Sequence, residues 1–219
     1  MRYEKGHKAT TRRRIIETAS ARFRKDGIDG VGLTDLMAEA GLTNGGFYSH
    51  FSSKEDLVRV ALEEATCRSA QNSDRRIEEG GLEAWIRAYL RTKHRDHPER
   101  GCVVAALAGE LARRPDATRK IFTENLSKVR SAIEAHLPAS LSPAVKRKTA
   151  VGIFATLAGS LQMARAVNDP SLSDEILEAG ITSALTLAQI KSQLPNKPSV
   201  TRKQHHKCLP SQGRFTADS

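Results

Sequence analysis

Three side chains able to grip an anion or a base edge lie close together in "AGLTNGGFYSHFSSKEDL", residues Ala40 to Leu57: the phenol of Tyr48, the imidazole of His50 and the ammonium of Lys54. They follow two adjacent glycines, Gly45 and Gly46, in a stretch whose flanks look helical. A glycine inside a helix costs ~1 kcal/mol relative to alanine, so a short helix opening on two of them needs a compensating gain. At about 100° per residue, Phe47 and Phe51 point the same way, into a core. Gly45, Gly46 and Ser49 then face outward, with Tyr48 and His50 on the two flanks. A helix of this form suits the major groove of DNA. Its flanks reach phosphates on opposite walls, and its small middle residues let the backbone approach the bases. Asn44, in the first turn, extends toward a base, its amide pairing best with adenine. Lys54 adds a phosphate contact beside backbone N–H groups at the next helix start. Against this stands a plainer reading, in which Phe47 and Phe51 are core and the polar residues are merely solvated.

The elements that must hold this segment are helices, since strand signals are nearly absent. A first helix is expected over Ala9–Lys25, with Ile16, Ala19 and Phe23 on one face. A second covers Leu33–Ala40 and ends at Gly41, and Thr43 is a good N-cap for a third, Asn44–Phe51. Ser52 or Ser53 caps a fourth, with Glu55 and Asp56 in its first turn. Two short helices joined by "GLT" have the form of a helix-turn-helix. Longer helices follow over Leu82–Arg95, Val103–Arg113, Ala117–Leu137, Ala144–Ala166 and Ser173–Ser192. From Pro195 the chain has little apolar content and several breakers, the composition of a disordered basic tail.

The run "DLMAEAGLTNGGFYSHFSSKEDL" resembles the DNA-binding segment of the TetR family of transcriptional regulators, through Asp35, Ala40, Gly41, Gly45, Phe47, Tyr48, His50, Phe51, Ser53, Lys54, Glu55 and Leu57. The resemblance implies an all-α chain: an N-terminal three-helix DNA-binding domain (residues 1–60), a helical effector-binding and dimerisation domain (61–194) and the tail (195–219). It implies phosphate contacts from Thr43, Tyr48, His50 and Lys54, and a base-facing set of Asn44, Gly46 and Ser49. Gly32 stands where the second helix usually has a Thr or Ser cap, so Thr34 becomes a candidate cap or phosphate contact. Arg2, Lys5, Lys8 and Arg12 to Arg14 form a basic arm that could follow the DNA backbone or enter a minor groove.

The resemblance further implies a pocket for a small-molecule effector and a homodimer built on the last two helices, binding a palindromic double-stranded operator. Pocket candidates are Trp85, Tyr89, Cys102, Phe122, Phe154 and Met163, each of which would serve equally as plain core. Phe154, Leu157 and Leu161 on one helix and Ile181, Leu185 and Ala188 on the next form apolar stripes that fit either a core or a dimer face. Cys102 opens a helix near Arg100, a setting that lowers a thiol's pKa; an oxidant- or electrophile-sensing regulator is the alternative it raises.

Composition bounds the rest. A formal charge of +10 and a pI near 9.8 favour an anionic partner, and from Lys191 to Ser219 six basic residues face one acid. Cys67, Cys102 and Cys208 show no paired spacing, which fits a reducing cytoplasm. The N-terminus has no apolar stretch of a secretory signal, and no run approaches a membrane span. Catalytic motifs such as GxSxG, a P-loop, HExxH or GxGxxG are absent, and His94, His97 and Cys102 fit no familiar metal spacing. The expectation is a regulator rather than an enzyme, with no metal or cofactor. An activator or a generic DNA binder is left open beside the repressor.

Overall fold

A computed structural model of the chain describes residues 5–189. Arg2 and the whole 195–219 tail, with Cys208, lie outside the described residues, as does the side chain of Lys5. The described residues are helical throughout, without strands.

Helices α1 (Lys5–Asp26) and α2 (Leu33–Glu39), a 3-10 helix (Asn44–Ser49) and the start of α3 (Lys54–Tyr89) form the head. Ile15, Ala19 and Phe23 repeat every four residues along α1 and bury against Leu36, Met37, Phe47, Phe51 and Leu57. The turn after α2 is made by Gly41, whose φ of +70° lies in the left-handed region. That conformation lets the Leu42 N–H reach the Met37 carbonyl at 2.9 Å, and only glycine adopts it without strain.

The expected helix Leu82–Arg95 does begin at Leu82, just after a kink at Gly81, but it ends at Tyr89. α3 runs from the reading head to Tyr89 and is interrupted within by Gly81 alone, at φ 74° and ψ 177°. A second helical stretch starts at Leu82 beyond this kink, so two helices in series carry the head into the body. α4 (Thr92–Asp96) is a separate turn beyond Leu90. α5 (Val103–Leu111), α6 (Asp116–Ala135), α7 (Pro143–Ala166) and α8 (Pro170–Leu187) complete the chain. Pro143 and Pro170 begin helices rather than merely ending the preceding ones. At the first helical position their missing N–H costs nothing, and Ser142 and Asp169 supply side-chain caps just before them.

The body packs Trp85, Ile86, Tyr89, Ile133, Ile153 and Leu177 into a second core. The stripe expected at a dimer face lies inside it: Phe154, Leu157, Leu161, Leu185 and Ala188 are all buried within one protomer, and Ile181 is half-buried. An apolar repeat marks a face that meets some apolar neighbour, and here the neighbours belong to the body core of the same protomer, Tyr89 of α3 among them.

α5 belongs to both cores. Val103, Leu107 and Leu111 enter the head, whereas Val104 and Ala105 enter the body. Polar fasteners reinforce this joint. The Glu110 carboxylate accepts from the Ile28 N–H at 2.8 Å and the Asp29 N–H at 3.1 Å. Arg114 pairs with Asp29 and Glu55, and the Thr118 hydroxyl donates to Glu55. Among the described residues, no helix is long and apolar enough to cross a membrane.

Candidate nucleic-acid interface and effector cavity

The reading segment is a 3-10 helix, not the α-helix expected from its pattern. Two glycines and a six-residue length leave little propensity for the α form. Thr43 does occupy the N-cap position, yet its side chain makes no cap hydrogen bond. The tighter winding has a consequence, because residues three apart eclipse in a 3-10 helix. His50 is thereby turned toward the side of Phe47 rather than left on an open flank. It is half-buried, and its Nδ1 is cut off from solvent with no hydrogen-bond partner. Burial, helped by the charges of Lys8 and Arg12, lowers its pKa and favours the neutral ring.

Tyr48 behaves as expected, 70% exposed and standing edge-on to Phe47 with ring centroids 5.2 Å apart. Phe47 and Phe51 stack beneath at 5.6 Å, and the Arg12 guanidinium lies 4.8 Å from the Phe51 ring centre. Thr34, Thr43, Asn44 and Ser49 are exposed, and the Ser49 hydroxyl donates to the Gly46 carbonyl at 2.7 Å. Thr34 does not cap α2; Gly32 holds that position without a side-chain bond. Lys54 is the first residue of α3, set by reciprocal capping: Ser53 Oγ accepts from the Asp56 N–H, and the Asp56 carboxylate accepts from the Ser52 N–H, each at 3.1 Å.

The glycine pair has no intramolecular justification. Neither residue has a positive φ. A Cβ on Gly45 would meet nothing within 4 Å, and one on Gly46 would only touch the end of Met37 at 4.0 Å. The protein's own packing would accept side chains at both positions.

In the body, three of the pocket candidates converge. Trp85, Tyr89 and Cys102 line a cavity of about 470 Å³ between α1, α3 and the start of α5. Phe154 packs behind Tyr89, with ring centroids 6.1 Å apart. The other two candidates fall elsewhere. Met163 is 55% exposed on the outside of α7, and Phe122 is half-buried against both cores and lines neither of the two larger cavities. Cys102 is buried at the N-cap of α5, and its N–H donates to His94 Nε2 at 3.0 Å. His94 Nδ1 donates in turn to the Tyr89 carbonyl at 2.6 Å, so both ring nitrogens are used and the ring is held neutral. Burial, with the charges of Arg165, Arg91 and Arg76, pushes its pKa down to about 4, against the opposing effect of the Tyr89 hydrogen bond. Sequence reasoning missed His94 as a structural pin and missed the arginines around the cavity, which no spacing rule links.

The comparisons with known proteins agree with this geometry. The sequence model of the bacterial regulatory proteins of the tetR family matches residues 4–61, the whole head. The head is a domain of the tetR family. The TetR-like head is similar to that of an uncharacterized HTH-type transcriptional regulator, YfiR of Bacillus subtilis, at 30% identity over 86 residues, 39% of this chain and 42% of that protein. It is also similar to the HTH-type transcriptional regulator TtgR of Pseudomonas putida, 42% identical over 53 residues, 24% of this chain and 25% of TtgR. The matched stretches thus span less than half of either relative. The fold extends further. Escherichia coli NemR in its reduced form superposes with a TM-score of 0.67 at 21% identity, covering 81% of this chain and 96% of NemR. A TetR-family regulator from Cytophaga hutchinsonii gives 0.69 at 20% identity, covering 85% and 98%. The all-α TetR-like architecture therefore spans head and body, while sequence likeness is concentrated in the head.

Proposed function

We propose that this protein is a homodimeric repressor of the TetR family that binds a palindromic DNA operator and is released from it by a small molecule held in the body cavity. One observation carries the reading: the Gly45–Gly46 backbone is left bare although the fold has room for side chains there, beside an exposed Tyr48. A surface kept slim for no internal reason fits a groove. Tyr48, Thr43 and Lys54 take phosphates, Asn44 and Ser49 reach base edges, and Gly46 permits the approach. His50 and Thr34 act at the margins, His50 through whichever ring edge the Phe47 side leaves open. The head, residues 1–60 in outline, reads DNA, and the helical body after it binds effector and partner.

The dimer surface lies on the opposite side of α7 and α8 from the buried stripe. Val151 and Met163 on α7 and Leu172 and Leu187 on α8 are exposed, and α7 has no charged residue between Lys148 and Arg165. Gly159 leaves open space on the same helix. A second copy covering this face would bury it and present two reading segments to symmetric half-sites. Coupling from the cavity to the head runs through α5, which is packed into both cores. An effector releases DNA only to the extent that it prefers the released arrangement.

The test is selection of bound fragments from random DNA. A two-fold symmetric consensus, bound in strong preference to bulk DNA as salt is raised, is the expected result. Uniform loss of all binding with salt would mean a generic binder instead.

A further inference from the structure

The cavity at the joint of head and body carries a charge that its own walls do not balance. Six arginines line it (Arg24, Arg68, Arg75, Arg76, Arg91 and Arg100) and no aspartate or glutamate does. They come from α1, from α3 and from either side of α4, so folding gathers them rather than any sequence run. Arg68 is matched by Glu17 and Glu64, and Arg100 by Glu99 at 3.8 Å. Arg24 is not matched by a carboxylate: its Nε and Nη2 both donate to the Glu99 carbonyl. Burial, followed by the charge of Arg68, pushes its pKa down, the mark of a cation short of counter-charge. The inner wall is of another kind. Trp85 and Tyr89 tilt together with centroids 5.7 Å apart. The Tyr89 hydroxyl is buried with no nitrogen or oxygen partner, its polar neighbour being the Cys102 thiol, a weak substitute for the partner that buried hydroxyls ordinarily have.

We infer that this cavity binds a small organic anion, an oxyacid group held by the arginines and by the Tyr89 hydroxyl, with an aryl or alkyl body against Trp85. The planar guanidinium fork suits a carboxylate or a phosphate, and about 470 Å³ suits a molecule of drug-like size. The inference rests on the reading of the cavity as the effector site and adds the class of effector. It also supplies the coupling. Arg24 lies in the last turn of α1, and its bonds to Glu99 tie the head to the body, as Arg68 does through Glu17. An anion that draws either arginine toward the cavity loosens α1 from its seat.

Trp85 is the sole tryptophan of the chain, so its emission reports occupancy. The full-length protein is titrated with 4-phenylbutyrate, with phenyl phosphate and with the neutral 4-phenylbutyramide. At least one anion is expected to act at a concentration about tenfold lower than the amide, and which one does so separates a carboxylate from a phosphate ligand. The double variant Arg76→Gln/Arg91→Gln removes two rim cations that form no ion pair among the described residues. It is expected to weaken the anion about fivefold or more and to leave the amide unchanged. Equal response to acid and amide, no response to either anion up to millimolar levels, or a double variant that binds anions like the parent overturns the inference. Release from the selected DNA is scored separately on the same samples. An anion that binds through these arginines yet leaves DNA bound upholds the site and sinks the effector reading.

Discussion

The half-buried imidazole of His94 makes the stability of this protein depend on pH. Nδ1 donates to the Tyr89 carbonyl and Nε2 accepts from the Cys102 N–H, so a second ring proton would face a donor. The folded pKa of about 4 lies below the ordinary 6.5, which means that the unfolded chain binds the proton more tightly. Stability from this group is therefore fully present above pH 6.5 and is lost as pH falls toward 4. The linkage relation puts the loss at ~2 kcal/mol between pH 8 and pH 5, a large part of the 5–15 kcal/mol typical of a domain. Glu17, Asp56, Asp96 and Glu99, whose pKa values are lowered, weaken the fold only below the ordinary carboxylate range. His50 titrates in the same direction as His94, so a variant is needed to isolate the effect. Urea unfolding at fixed protein concentration, followed by Trp85 emission at pH 8, 7, 6 and 5, measures the slope. His94→Gln can still accept from Cys102; it should be less stable at pH 8 by ~1 kcal/mol but should lose ~2 kcal/mol less on acidification. A variant with the parent's slope, or a His94 ring that titrates near 6.5 by NMR, refutes the argument.

Four further outcomes follow from the same contacts. Tyr48→Ala should weaken operator binding about tenfold or more while leaving the melting temperature unchanged, because the ring is mostly exposed; a gel-shift titration and a melt decide it. Glu110→Ala removes the acceptor for two backbone N–H groups at the head–body joint and should cost ~2–3 kcal/mol in urea unfolding. Gly180→Ala places a Cβ against Ser160 Oγ and within 2.7 Å of Leu90 Cδ1, and should cost ~1–3 kcal/mol through overpacking of α7 on α8. Val151→Glu/Met163→Glu puts carboxylates on the exposed apolar face and should shift sedimentation from dimer to monomer without unfolding the protomer.

Local chemistry was legible in the chain. The Ser53 cap, the glycine turn at Gly41 and the inward pair Phe47 and Phe51 follow from propensity, backbone sterics and periodicity, all of which act over a few residues. So does the reading segment as a surface feature, since a glycine pair beside Tyr48 is unusual wherever it sits. What those rules misplaced, they misplaced for one reason. Periodicity identifies an apolar face but not its neighbour, so the stripe Phe154, Leu157 and Leu161 lay equally open to a second copy and to a core position. Only packing decided for the protomer's own core. The half-burial of His50 was settled likewise, by tertiary surroundings that no local rule names.

Sequence alone determined that the chain is helical, basic and equipped with a TetR-type reading head, because each of these is carried by composition or by residues adjacent in the chain. Tertiary structure decided which side chains share a space. The six cavity arginines extend from Arg24 to Arg100, and His94 meets Cys102 across the break between α4 and α5. Electrostatic energy depends on distance through space, and nothing in the order of residues states that distance.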